Sequence, residues 1–166
     1  MSRRAMTIYT RTVSFAKLMQ RFKHGMESER QEQQDPLHLA TAAVLLEIAH
    51  ADGDFTPAED GDVIGFLNSA FALTPEASRE LVQEADELRN RTIDHFALTH
   101  YIRRHASLAE RIDIVKTMWR IVYADRKLTD YENYLVRKLA DLLGLEHHVM
   151  IDAKVAVLRD MGMASS

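Results

Sequence analysis

Two nine-residue passages, Ala51-Asp52-Gly53-Asp54-Phe55-Thr56-Pro57-Ala58-Glu59 and Ala124-Asp125-Arg126-Lys127-Leu128-Thr129-Asp130-Tyr131-Glu132, stand 73 positions apart and agree at Ala, Asp, Thr and Glu. Each follows an apolar helical stretch and precedes another. A chain built this way is expected to fold as a duplicated pair of helices, each pair joined through an acidic corner. After the second corner, Leu143-Gly144-Leu145 matches Phe71-Ala72-Leu73 with a one-residue slip, so the repeat extends beyond the corner.

The helix starts are written in capping residues. All three prolines follow a good N-cap, at Asp35-Pro36, Thr56-Pro57 and Thr74-Pro75, where a missing N–H costs nothing. Thr92, Ser107 with Glu110, and Thr129 with Glu132 mark further starts, the last two with capping-box spacing. The pattern predicts helices near 36–51, 57–71, 75–89, 93–104, 108–124, 130–143 and 147–160. No segment sustains the period-two alternation of a strand, so an all-α fold is expected. The 36–51 helix is apolar nearly all round, and the 108–124 helix carries Ile112, Val115, Trp119 and Val122 with Ile114, Met118 and Ile121. Both belong in the middle of a bundle.

With 166 residues and 46% hydrophobic content, the chain can bury a sizeable core. Its charge is unevenly spread. Residues 1–26 carry Arg3, Arg4, Arg11, Lys17, Arg21 and Lys23 and no acid, which leaves 15 basic against 25 acidic groups in the remainder. A body of that sign repels phosphate backbones, so no nucleic-acid partner is expected. Residues 1–24 read as a basic amphipathic helix, with Ile8, Phe15, Leu18, Met19 and Phe22 on one arc. Residues 25–34 read as a polar linker, and the compact domain is expected over 35–162. The leader suits either docking on its own domain or another subunit, or lying on an anionic membrane surface through residues 3–24. No run approaches the roughly 18 apolar residues of a membrane span, and the leader lacks a secretory pattern. The absence of cysteine excludes disulfides, thiolate zinc sites and cysteine nucleophiles, and suits a reducing compartment. A cytoplasmic protein, peripheral to the inner membrane in the membrane-docked case, is the expectation.

Asp52, Asp54 and Glu59 crowd one corner, and Asp125, Asp130 and Glu132 the other. Close carboxylates repel unless a cation or hydrogen-bond donors compensate. Two readings stay open: a hard divalent ion such as calcium or magnesium held by oxygen ligands, or capping-box roles for Glu59 and Glu132 with Asx turns at Asp52 and Asp125. An EF-hand is excluded, because counting from Asp52 the sixth position is Pro57 and the twelfth is Val63. Glu47 and His50 have the Glu-x-x-His spacing of di-iron bundles, but the repeat-equivalent residues are Arg120 and Tyr123, so the second half of such a centre is missing. Glu47 instead needs a cation or donor, with Arg120 one candidate. The eight histidines share no ligand face, and neither a phosphate loop nor a nucleophile motif is present. No enzymatic activity is expected.

The run Leu45-Leu46-Glu47-Ile48-Ala49-His50-Ala51-Asp52-Gly53-Asp54-Phe55, then Met118-Trp119-Arg120-Ile121-Val122-Tyr123-Ala124-Asp125, Glu132 and Leu139-Ala140-Asp141-Leu142-Leu143-Gly144-Leu145, resembles the TerB-like family associated with tellurite resistance. The likeness covers about residues 36–160. It implies an all-α bundle of about seven helices with an internal pseudo-twofold repeat, in a bacterial cytoplasmic protein. It further implies metal-binding acids, which fall here on Asp52 and Glu59, and on Asp125 and Glu132, with Asp54 and Glu47 as further acids at the first corner. Arg126 stands where the first corner has Gly53, a cation in place of one at the second corner. The expected function is a non-enzymatic TerB-like module with a divalent cation at an acidic corner, recruiting a protein partner or a second copy in a tellurite-type stress response. The alternative is a membrane-peripheral adaptor acting through its leader.

Overall fold

The computed structural model describes residues 34–53, 57–91 and 94–163. The expected leader helix, nearly all of the linker, and the residues Asp54, Thr56 and Thr92 lie outside them. The described residues form seven helices and no strand: α1 (Pro36–Ala49), α2 (Pro57–Ala70), α3 (Pro75–Asn90), α4 (His95–His105), α5 (Leu108–Val122), α6 (Asp130–Leu142) and α7 (His147–Asp160).

Caps set the starts. Asp35 Oδ1 accepts from the Leu37 N–H at 2.8 Å, and Thr74 Oγ1 from the Ala77 N–H at 3.1 Å, each just ahead of a proline whose fixed φ suits the first turn. Ser107 with Glu110, and Thr129 with Glu132, form complete capping boxes. The fourth helix starts later than the Thr92 signal suggests. Asp94 caps it, its Oδ1 accepting from the Ala97 N–H at 2.7 Å. At the corners α1 and α5 end two residues earlier than their apolar runs, because the chain turns off the helix at His50 and Tyr123.

The core follows from the two all-round apolar helices. In α1, Leu39 through Leu46 are buried without interruption, as are Ile48 and Ala49. In α5, Val115, Met118 and Trp119 are sealed from solvent, and the Lys154 ammonium of α7 lies 4.9 Å from the centre of the Trp119 indole. Packing is reciprocal: α1 meets α2 and α3, α5 meets α6 and α7, α1 meets α5, and each half's second helix touches the other half's first. Such an exchange is what an internal twofold axis produces. Helix α4 has no counterpart and bridges the halves by packing on α1 and α6.

The backbone repeats the corner atom for atom. Ala51 N–H bonds Ile48 O at 3.1 Å and Gly53 N–H bonds His50 O at 3.1 Å; 73 residues on, Ala124 N–H bonds Ile121 O at 3.2 Å and Arg126 N–H bonds Tyr123 O at 2.9 Å. Both turns close through a left-handed residue, Gly53 at φ 84° and Arg126 at φ 62°. The slipped match also holds. Ala72 (φ 51°) and Gly144 (φ 80°) are both left-handed, and the residues after them, Leu73 and Leu145, bond back to Asn68 O and Ala140 O in Schellman fashion.

Candidate functional site

Charges from both acidic corners act on one side chain, Glu132. Glu132 is buried, with 5% of its surface exposed. Its carboxyl is pushed above the ordinary carboxylate range, first by burial and then by the charges of Asp52 from the first corner and Asp125 from its own. One Glu132 oxygen accepts from the Thr129 N–H at 3.1 Å, and the Thr129 hydroxyl oxygen accepts from the Glu132 N–H at 3.1 Å. Asp125 Oδ1 accepts from the Lys127 N–H at 3.0 Å, closing an Asx turn. At the second corner, backbone N–H groups thus supply donors that the sequence left open between the main chain and an ion. At the first, Asp52 is exposed and Glu59 is buried. Asp54 and the Thr56 cap lie outside the described residues. Among the described residues, no three His, Asp or Glu side chains are grouped so as to hold a metal ion.

Glu47 sits apart from the corner carboxylates, in a network that sequence reasoning missed. Its Oε1 accepts from Arg89 Nη1 at 3.2 Å, and its Oε2 lies 3.0 Å from His95 Nε2. Arg89 also binds Asp86, at 3.0 Å and 3.3 Å. Helices α1, α3 and α4 are thereby pinned together. The His95 hydrogen bond and the Arg89 guanidinium hold the Glu47 carboxyl below its usual range against the opposing effect of burial. Arg120, the partner offered by the repeat, does not serve: it reaches Asp160 on α7 at 3.4 Å. His50, one turn from Glu47, is pushed down by burial and by the charge of Arg89. Nothing in the spacing of Glu47, Arg89 and His95 announces the network, because the three come from helices joined only in the fold. The one signal was a lone acid on an otherwise apolar helix.

His95 also borders an open cavity of about 430 Å³, together with Asp94, Phe96, Lys138 and Leu142, between α4 and α6. Large apolar side chains stand in solvent on the two helices: Phe96, in the cavity's lining, is 63% exposed, and Tyr131 and Tyr134 on α6 are 55% and 57% exposed. Tyr131, Tyr134 and Lys138 follow at helical spacing along one face of α6. Phe96 stacks on His100, ring centres 5.6 Å apart. Two further histidines have local contacts. His38 stacks on Phe71 at 3.8 Å, and His105 Nδ1 lies 2.9 Å from Tyr101 O.

None of the seven helices is long and apolar enough to cross a membrane. No curated protein and no solved structure matches the chain. A family model described as tellurite resistance protein TerB does match, over residues 38–155, the span that holds both corners and all but the ends of the bundle. The chain belongs to the TerB family.

Proposed function

We propose that this TerB-family chain is a non-enzymatic recruiting module that binds a protein partner in a tellurite-type stress response through the aromatic face of α4 and α6. The observation that carries the reading is the open cavity bordered by Phe96 and Lys138, with exposed Tyr131 and Tyr134 on the same stripe of α6 as Lys138. Isolated apolar residues on a surface are ordinary, but aromatics grouped around a recess are the composition of a binding face. Tyrosine and phenylalanine supply large contact area at low conformational-entropy cost, and the recess receives a partner's anchoring side chain. A photo-crosslinking residue placed at Tyr134 should yield an adduct of defined mass in cells, and the same residue at Glu76 on α3 should not. The F96A/Y131A/Y134A variant should fail to restore tellurite tolerance to a deletion strain. Absence of a specific adduct ends the recruiting role, and full tolerance in the variant ends the stress assignment.

A cation at the corners is a second reading, supported by the electrostatic coupling of Asp52, Asp125 and Glu132 across the two halves. Calcium or magnesium at millimolar concentration should then shift the amide resonances of residues 51–53 and 129–132. Unmoved resonances remove the ion.

A further inference from the structure

We propose that the groove between α2 and α5 is the docking site of the chain's own basic leader, residues 3–24. The groove has a volume of about 540 Å³ and is walled by Gly61, Gly65 and Ser69 on one side and by Asp113, Lys116 and Arg120 on the other. Gly61 and Gly65 lie inside a helix, where glycine is a poor residue, and a Cβ built on either meets nothing within 4 Å. No turn and no close approach by the described residues accounts for them. Spaced four apart and continued by Ser69, they leave a low wall along which another helix can approach closely.

A second cavity, of about 100 Å³, continues the groove through the shared residues Phe66, Ala70 and Asp113 and ends at Leu37. The Thr41 hydroxyl lies on its wall, fully buried and without a hydrogen-bond partner. A buried hydroxyl in that condition is one for which an incoming group supplies the missing bond.

Three features select the leader as occupant. Leu37, in the lining of the groove's extension, lies two residues after Asp35, so the leader joins the domain beside that extension. Reach is sufficient: α2, with 14 residues, is about 21 Å long, residues 3–24 as a helix span about 33 Å, and the linker adds up to about 33 Å. Charge agrees as well. The leader is purely basic, whereas the groove and its extension present Asp62, Asp113 and Glu110 against Lys116 and Arg120, the latter engaged by Asp160. Asp113 makes no ion pair among the described residues, and burial raises the Asp62 carboxyl, with Arg120 opposing. A cationic helix brought against both carboxylates would relieve them.

Because the chain lacks cysteine, a single spin label at Ala109→Cys, exposed on α5 one turn before Asp113 and outside the groove's lining, tests this on the full-length protein. The amides of residues 8–22 should lose most of their intensity, independent of protein concentration, and recover it in G61L/G65L. That variant replaces poor helix formers in open space, so a circular-dichroism melt should show it at least as stable as the parent. Mixing isotope-labelled chain with unlabelled, spin-labelled chain isolates contacts between molecules. Broadening that persists in the mixture assigns the groove to a second copy and overturns the proposal. A leader unbroadened in solution, whether or not it then binds anionic phosphatidylglycerol vesicles, overturns it as well.

Discussion

Gly53 and Arg126 place the same demand on two different side chains. Both close a corner at positive φ, which glycine adopts freely and an L-residue adopts at a cost of about 1 kcal/mol. A Cβ at Gly53 has open space around it, so Gly53→Ala isolates the backbone effect and should cost about 1 kcal/mol in urea denaturation. Ala72 is the complementary case, an alanine at φ 51°. Ala72→Gly should stabilise by about 0.5 kcal/mol, read as a higher urea midpoint at unchanged slope. Gly144 is held more tightly. A Cβ there would lie 2.8 Å from Arg103 Nε and 3.0 Å from Arg111 Nη1, the atom that donates to Leu143 O at 2.7 Å.

At the scale of elements, the capping box at the second corner turns Thr129-x-x-Glu132 into a helix start and an electrostatic burden. Thr129→Ala removes the oxygen that satisfies the Glu132 N–H and should cost about 1 kcal/mol, measured by thermal melting. Glu132→Gln keeps an oxygen for the Thr129 N–H and deletes the charge that burial, Asp52 and Asp125 oppose. A carboxyl raised in the fold favours folding when protonated and opposes it once ionised. Glu132→Gln should therefore raise Tm at pH 7 and lose its advantage as pH falls below Glu132's raised pKa. Helix existence and order were readable from the sequence, since caps and apolar period are local. The late start at Asp94 was less readable, because Thr92 and Asp94 are both good caps and only the placement of His95 on Glu47 rewards the second.

For the molecule as a whole, the Glu47, Arg89 and His95 network and the stacked His38 set the acid limit of stability. Glu47, held low, contributes above its unfolded pKa, and that contribution is lost as pH falls through its folded value. His38 and His50 are held below 6.5, mainly by burial, so each favours the fold at neutral pH and opposes it as acid forces protonation. Stability should decline in steps below pH 6.5 and again below pH 4.5, at the unfolded values from which these groups depart. Glu47→Gln should cost about 1–2 kcal/mol at pH 7 and flatten the lower step, as followed by circular dichroism across pH.

The sequence by itself determined the repeat, the helix order, the two buried helices and the family, because capping, helical period and duplication are properties of neighbouring residues. It also left open what stands against the corner acids, and the structure places main-chain N–H groups of the same turns on Glu132 and Asp125. What only tertiary structure decided are the relations across the bundle: Glu47 with Arg89 and His95, the charge of Asp52 acting on Glu132, the recess at Phe96, and the groove along Gly61 and Gly65. Those depend on how α4 bridges the halves and how α2 crosses α5. Side-chain packing sets such angles, and no spacing along one chain encodes them.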